Sequence, residues 1–220
     1  MPMVEQKTST GTSLKKKVLI GSFWLYALQG FSIVLLLLLT VILARLLTPA
    51  HFGIVGVFLI LSSGLESFTN TGFNKALIQR KEVKKVYLDT AWTVSIVRGI
   101  ILFTAIFFGG SLVVELLNTP KALPVIRVLG LTMLIQGFNN TGIIYFSKNL
   151  DFFKQFLLKG IPLLANFIVS VPLAFILRNE WAIAYGMLAS SIVLLLFSFV
   201  LHPYRPRLRF NFEEFKLLFH

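Results

Sequence analysis

Cysteine is absent from these 220 residues, which excludes a disulfide framework, a thiolate metal site and a redox pair. Acidic residues are scarce as well, nine against 21 Lys and Arg. Glu213 and Glu214 form the sole adjacent acidic pair, and they read as a solvated amphipathic segment. The three histidines, His51, His202 and His220, lie at span ends or at the terminus, without the spacing of metal ligands. A Gly-rich phosphate loop and a nucleophile elbow are also missing. The chain therefore does not read as an enzyme, and no cofactor or metal is expected. Strand-like alternation is absent too, which argues against a membrane barrel.

Apolar length is what the chain has in abundance. Hydrophobic residues make up 56% of it and charged residues 14%, and the mean hydropathy is +0.81. An aqueous domain of this size cannot hide so much apolar surface from water. A helix needs ~20 apolar residues to cross the ~30 Å hydrocarbon layer. Gaps between charges outline six such stretches: about 18–43, 52–74, 91–114, 122–146, 156–177 and 181–201. The first is too long, and lacks the small-residue cleavage site, to be a removable signal peptide. The fold class read from this pattern is an all-α integral membrane bundle of six transmembrane helices. A basic N-terminus (1–17) precedes the six-helix lobe (18–201), and a basic tail (202–220) follows it.

Charge placement orients the bundle. The end that gathers the N-terminus, the loops around Glu82 and Asp151 and the tail after Leu201 holds sixteen of the 21 Lys and Arg. The other end holds Arg45, Lys121, Arg127 and Arg178, and Arg98 lies inside a span. The positive-inside rule then makes both termini cytoplasmic. Topology also accounts for the net charge of +12, so no nucleic-acid partner is expected. Trp24, Tyr87, Trp92 and Tyr204 near one boundary, and Trp181 at the other, fit the aromatic belts of a bilayer.

Polar residues inside the spans are the candidates for function. In the second span Ser62, Glu66, Asn70 and Asn74 recur at i, i+4 and form one stripe. Thr132, Gln136, Asn139 and Asn140 form another in the fourth. Gln29 and Asn166 add single polar groups to the first and fifth. Burying a charge in a bilayer costs at least ~2.5–3.5 kcal/mol, so such groups face a bundle interior or an aqueous cavity. Arg98 is expected to meet the second-span stripe with Glu66 or Asn70 as partner. The competing reading is that Arg98 snorkels to headgroups while the asparagines glue helices together. Elsewhere Pro162 and Pro172 predict a bend in the fifth span. Thr48-Pro49 predicts the start of the second helix, and Gly53, Gly56, Gly99, Gly109 and Gly110 predict close helix approach.

Several segments resemble one family. Leu43–Gly53 (LARLLTPAHFG) is similar to the signature after the first helix of Wzx-type polysaccharide flippases, of the multidrug/oligosaccharidyl-lipid/polysaccharide exporter superfamily. Residues 71–80 (TGFNKALIQR) resemble the close of that family's second helix, and 145–154 (YFSKNLDFFK) its fourth cytoplasmic loop region. Residues 181–186 (WAIAYG) and 202–210 (HPYRPRLRF) resemble its sixth helix and exit. Together these segments point to the teichuronic-acid/O-antigen branch. The resemblance implies transfer of an undecaprenyl-pyrophosphate-linked oligosaccharide across a bacterial cytoplasmic membrane, with two helical lobes alternating access to a central cavity. It carries Arg45, and also Arg98, as cations for the headgroup. Glu66, Asn70, Gln136, Asn139 and Asn140 would line the path of the sugar hydroxyls.

The family usually has twelve or more helices, so this chain is expected to supply one lobe. A second copy or a C-terminal lobe would complete the cavity, and polymerase or glycosyltransferase machinery would be neighbouring partners. Two alternatives remain open at this stage. One is a multidrug cation antiporter coupled through Glu66; the other is a non-transporting component of the glycan assembly machinery.

Overall fold

A computed structural model describes residues 10–69 and 85–208, and they are almost entirely helical. The long helices are α1 (Thr10–Leu46), α2 (Pro49–Thr69) and α3 (Lys85–Leu116), followed after a break-bearing pair by α6 (Phe152–Leu177) and α7 (Trp181–Leu201). Between them α4 (Leu123–Gly137) and the short α5 (Ile144–Lys148) flank a 3-10 turn at Thr141–Ile143. Among the described residues five helices are each long and apolar enough to cross a membrane, and the α4–α5 pair, bent at its break, has the length and composition of a sixth. The chain is therefore a multi-pass membrane protein. As the sequence predicts, α2 starts at Pro49.

The fourth span departs from expectation. A continuous helix over 122–146 is replaced by two segments bent by 68°. With 15 residues, α4 is only ~22 Å long, short of the hydrocarbon thickness. The break falls where polar residues cluster: Asn140 takes an extended conformation and its side chain accepts the N–H of Gly142, starting a new turn. Helix continuation and this local bond compete for the same backbone groups, and here the bond wins.

Packing follows small residues. A Cβ at Gly137 on α4 would lie 2.8 Å from the Ser95 carbonyl on α3, so only glycine allows the two backbones this close. Gly99 sits on the opposite side of that contact, as expected. Gly53, Gly56 and Gly109 have open space around them; they do not mediate close approach in this lobe. Helix α7 packs along α6, which on its other side carries α1, and α4 lies between α3 and α7. Helix α2 leans on α3 and α4, its first half held by Val55 and Phe58 in an apolar core with Leu102, Ile106 and Leu129. Pro162 and Pro172 sit within an unbroken α6.

The α6–α7 contact uses the polar group noted in the fifth span. Ser170 donates to Asn166 Oδ1 at 2.8 Å, and this pair fills the hollow over Gly186. A Cβ at Gly186 would stand 1.8 Å from Ser170 Oγ and 2.4 Å from Asn166 Oδ1. Gly186→Val is expected to lower stability by ~1–3 kcal/mol through overpacking, read as a fall in melting temperature in detergent.

The helix ends sort into two groups. At one end α1 turns into α2, α3 into α4 and α6 into α7; His51 Nε2 lies 3.6 Å from Glu180 Oε2 across two of these turns. We call this the hairpin end. At the other, residues 202–208 leave α7 as an extended strap over the break in the fourth span.

A polar cavity beside the broken span

Helical periodicity brings the two polar stripes together. Ser62 and Glu66 on α2, and Thr132 and Gln136 on α4, are each one i, i+4 step apart. They border a common seam. On α3, Ser95, Arg98, Gly99 and Leu102 follow i, i+3, i+4, i+7 and form its floor. Gln155, Leu158 and Lys159 of α6 supply the opposite wall, and Asn139, Thr141, Ile143 and Ser147 supply the corner at the break. The cavity, open on one side, has a volume of about 410 Å³. A second cavity of about 560 Å³ between α2, α4 and Met187 of α7 shares Glu66, Met133 and Gln136 with the first.

Four of the sequence candidates meet here: Glu66, Arg98, Gln136 and Asn139. Arg98 is half-buried, and its Nε donates to Thr69 Oγ1 at 3.1 Å. The expected partner Glu66 lines the same cavity, but among the described residues no ion pair joins the two. Thr69 is one position short of Asn70, the other expected partner, which lies outside the described residues, as does Asn74. Asn139 Oδ1 is buried without a hydrogen-bond partner among the described residues.

Two candidates fall elsewhere. Arg45 is exposed near the hairpin end, and Glu66 lies ~25 Å along α2 from that turn. Asn140 is fully buried and spends its side chain on structure. Its Nδ2 donates to the Tyr204 carbonyl at 2.8 Å and its Oδ1 accepts from Gly142 N–H at 2.9 Å. Its own N–H donates to Ser198 Oγ at 3.0 Å. Lys159 and Gln155 were not among the candidates. Charge counting puts Lys159 in a loop, although it lies three residues inside the expected fifth span and one i, i+4 step from Gln155.

At the strap end His202 stacks on Tyr145, with ring centroids 5.5 Å apart, and its Nδ1 accepts the Tyr204 N–H at 3.1 Å. It lies outside the spanning helix. Burial first, then the positive charges of Lys154 and Arg205, hold its pKa below the ordinary 6.5. The folded chain therefore binds this proton more weakly than the unfolded chain. The strap's stability is unaffected above pH 6.5 and falls as pH drops from there toward the lowered value. Melting curves are expected to shift downward on acidification, and His202→Phe, which keeps the stack, is expected to flatten that dependence.

Comparison with known proteins completes the picture. The chain is 28% identical to the lipopolysaccharide biosynthesis protein WzxC of Escherichia coli (strain K12) over 201 residues, 90% of this chain and 41% of that protein. It is 24% identical to an uncharacterized membrane protein in the cps region of Klebsiella pneumoniae, over 94% of this chain and 44% of that protein. It is 22% identical to the succinoglycan biosynthesis transport protein ExoT of Rhizobium meliloti (strain 1021), over 79% of this chain and 35% of that protein. The chain thus spans less than half the length of these relatives. No solved structure matches. The resemblance read from residues 43–53 and the later segments is borne out, because the family described as polysaccharide biosynthesis protein matches residues 42–220. The chain belongs to that polysaccharide biosynthesis family.

Proposed function

We propose that this chain forms one lobe of an exporter that moves a lipid-linked oligosaccharide across the cytoplasmic membrane of a bacterium. The observation that carries the reading is the cavity. In an otherwise apolar bundle it gathers two cations, Arg98 and Lys159, with the amides of Gln136, Asn139 and Gln155 and the hydroxyls of Ser95, Thr141 and Ser147. Cations suit a pyrophosphate, amides and hydroxyls suit sugar hydroxyls, and a polar cavity at membrane depth supplies a path that lipid cannot. Among the described residues Glu66 is the one acidic group of the lining, a balance that favours an anionic headgroup over a drug cation.

The charge count supports a cytoplasmic strap end, so the substrate enters at that end and leaves at the hairpin end. Alternating access needs a second wall for this seam, from a second copy or from further chain as long as that of the relatives. The test is transfer in native-membrane vesicles carrying this chain. An undecaprenyl-pyrophosphate saccharide placed in the cytoplasmic leaflet should appear in the other leaflet, and the same lipid saccharide without phosphate should not. Equal transfer in vesicles lacking the chain would overturn the proposal.

A further inference from the structure

The strap after α7 is fastened at its middle. The Tyr204 phenol donates to the carboxylate of Asp89 near the start of α3. The same carboxylate oxygen accepts the Arg207 N–H at 3.0 Å, and Asp89 itself is buried. A buried carboxylate is costly unless donors surround it, and here the strap supplies both a hydroxyl and an amide. From the other side of the strap, the Tyr204 carbonyl accepts from Asn140 at 2.8 Å. Beside it Thr141 Oγ1 donates to the Leu88 carbonyl at 3.1 Å.

These bonds tie three pieces of chain that are remote in sequence: the start of α3, the break in the fourth span and the strap. The break is part of the cavity wall, since Asn139, Thr141 and Ile143 all line it. We propose that the strap is a brace for that wall: Asp89 and Tyr204 act as positioning residues that hold the 139–143 corner through Asn140. A load on the strap reaches the Asp89 carboxylate through the Arg207 N–H and the Tyr204 phenol, and reaches Asn140 through the Tyr204 carbonyl. A strap that merely finished α7 would need no bond to α3. The proposal goes beyond the export reading and concerns the shape of the wall, whatever passes it.

The absence of native cysteine makes the test clean. Ile143 is half-buried at the corner, so Ile143→Cys reports its opening by its labelling rate with a membrane-permeant maleimide, measured on the full chain in native membranes. Val57 is half-buried against the main apolar core, and Val57→Cys reports general loosening. Tyr204→Phe removes only the hydroxyl and keeps the ring. It is expected to speed labelling of Cys at position 143 by about tenfold, as loss of a hydrogen bond to a charged group implies, and to leave position 57 unchanged. Asp89→Asn should act in the same direction. An unchanged rate at position 143 in both variants would overturn the brace, and so would equal acceleration at positions 143 and 57. Export is not the readout, so the brace can fail while the export reading stands.

Discussion

Arg98→Gln should insert into the membrane normally and export its substrate at least ~10-fold more slowly, whereas Arg98→Lys should keep a measurable part of the rate. The size follows from losing a charge-assisted hydrogen bond to phosphate, ~1.5–3 kcal/mol in a site partly shielded from water. Lysine restores the charge without the planar fork, so it restores attraction but not paired geometry. The Thr69 contact gives the fork its fixed position, and this is the part lysine cannot reproduce. The measurement is export per inserted molecule, normalised by immunoblot of the membrane fraction. Equal rates for the Gln and Lys variants would mean that Arg98 holds α2 to α3 and touches no substrate. Lys159→Gln makes a useful companion, since this second cation of the lining comes from another helix, α6.

The largest stability effect is expected one residue away from the cavity, at Asn140. Asn140→Leu is nearly isosteric, yet it leaves the buried Gly142 N–H without its acceptor and takes from the Tyr204 carbonyl the shorter of its two hydrogen bonds, the other being from Arg205. The orphaned N–H costs ~1–3 kcal/mol and the lost bond to the carbonyl ~0.5–1.5 kcal/mol, so a total of ~1.5–4.5 kcal/mol and a lower melting temperature in detergent are expected. Asn139→Ala offers the contrast. Among the described residues the Oδ1 of Asn139 has no partner to lose, so this variant should melt close to the parent and show its effect, if the export reading holds, in transport. Similar melting of the two variants would show that Asn140 does not carry the corner of the break.

Adjacent asparagines with opposite roles mark the limit of what local pattern conveys. Membrane residence, the all-helical fold and the existence of the Glu66 and Gln136 stripes were legible in the sequence. Each rests on hydropathy over ~20 residues or on i, i+4 periodicity, and both are local properties of a helix in lipid. The start of α2 at Pro49 was legible for the same reason: proline suits the first helical turn wherever the helix goes.

The tertiary structure alone decided the rest. It broke the fourth span, set Asn140 apart from Asn139, gave Arg98 to Thr69, added Lys159 and left Arg45 exposed at the hairpin end. The bonds that hold the break reach across 58, 64 and 115 residues. A buried polar group must find a partner somewhere, and its own helix has already used the nearby backbone. Which distant group answers depends on how the helices pack, and a pattern of neighbours along the chain carries no record of that.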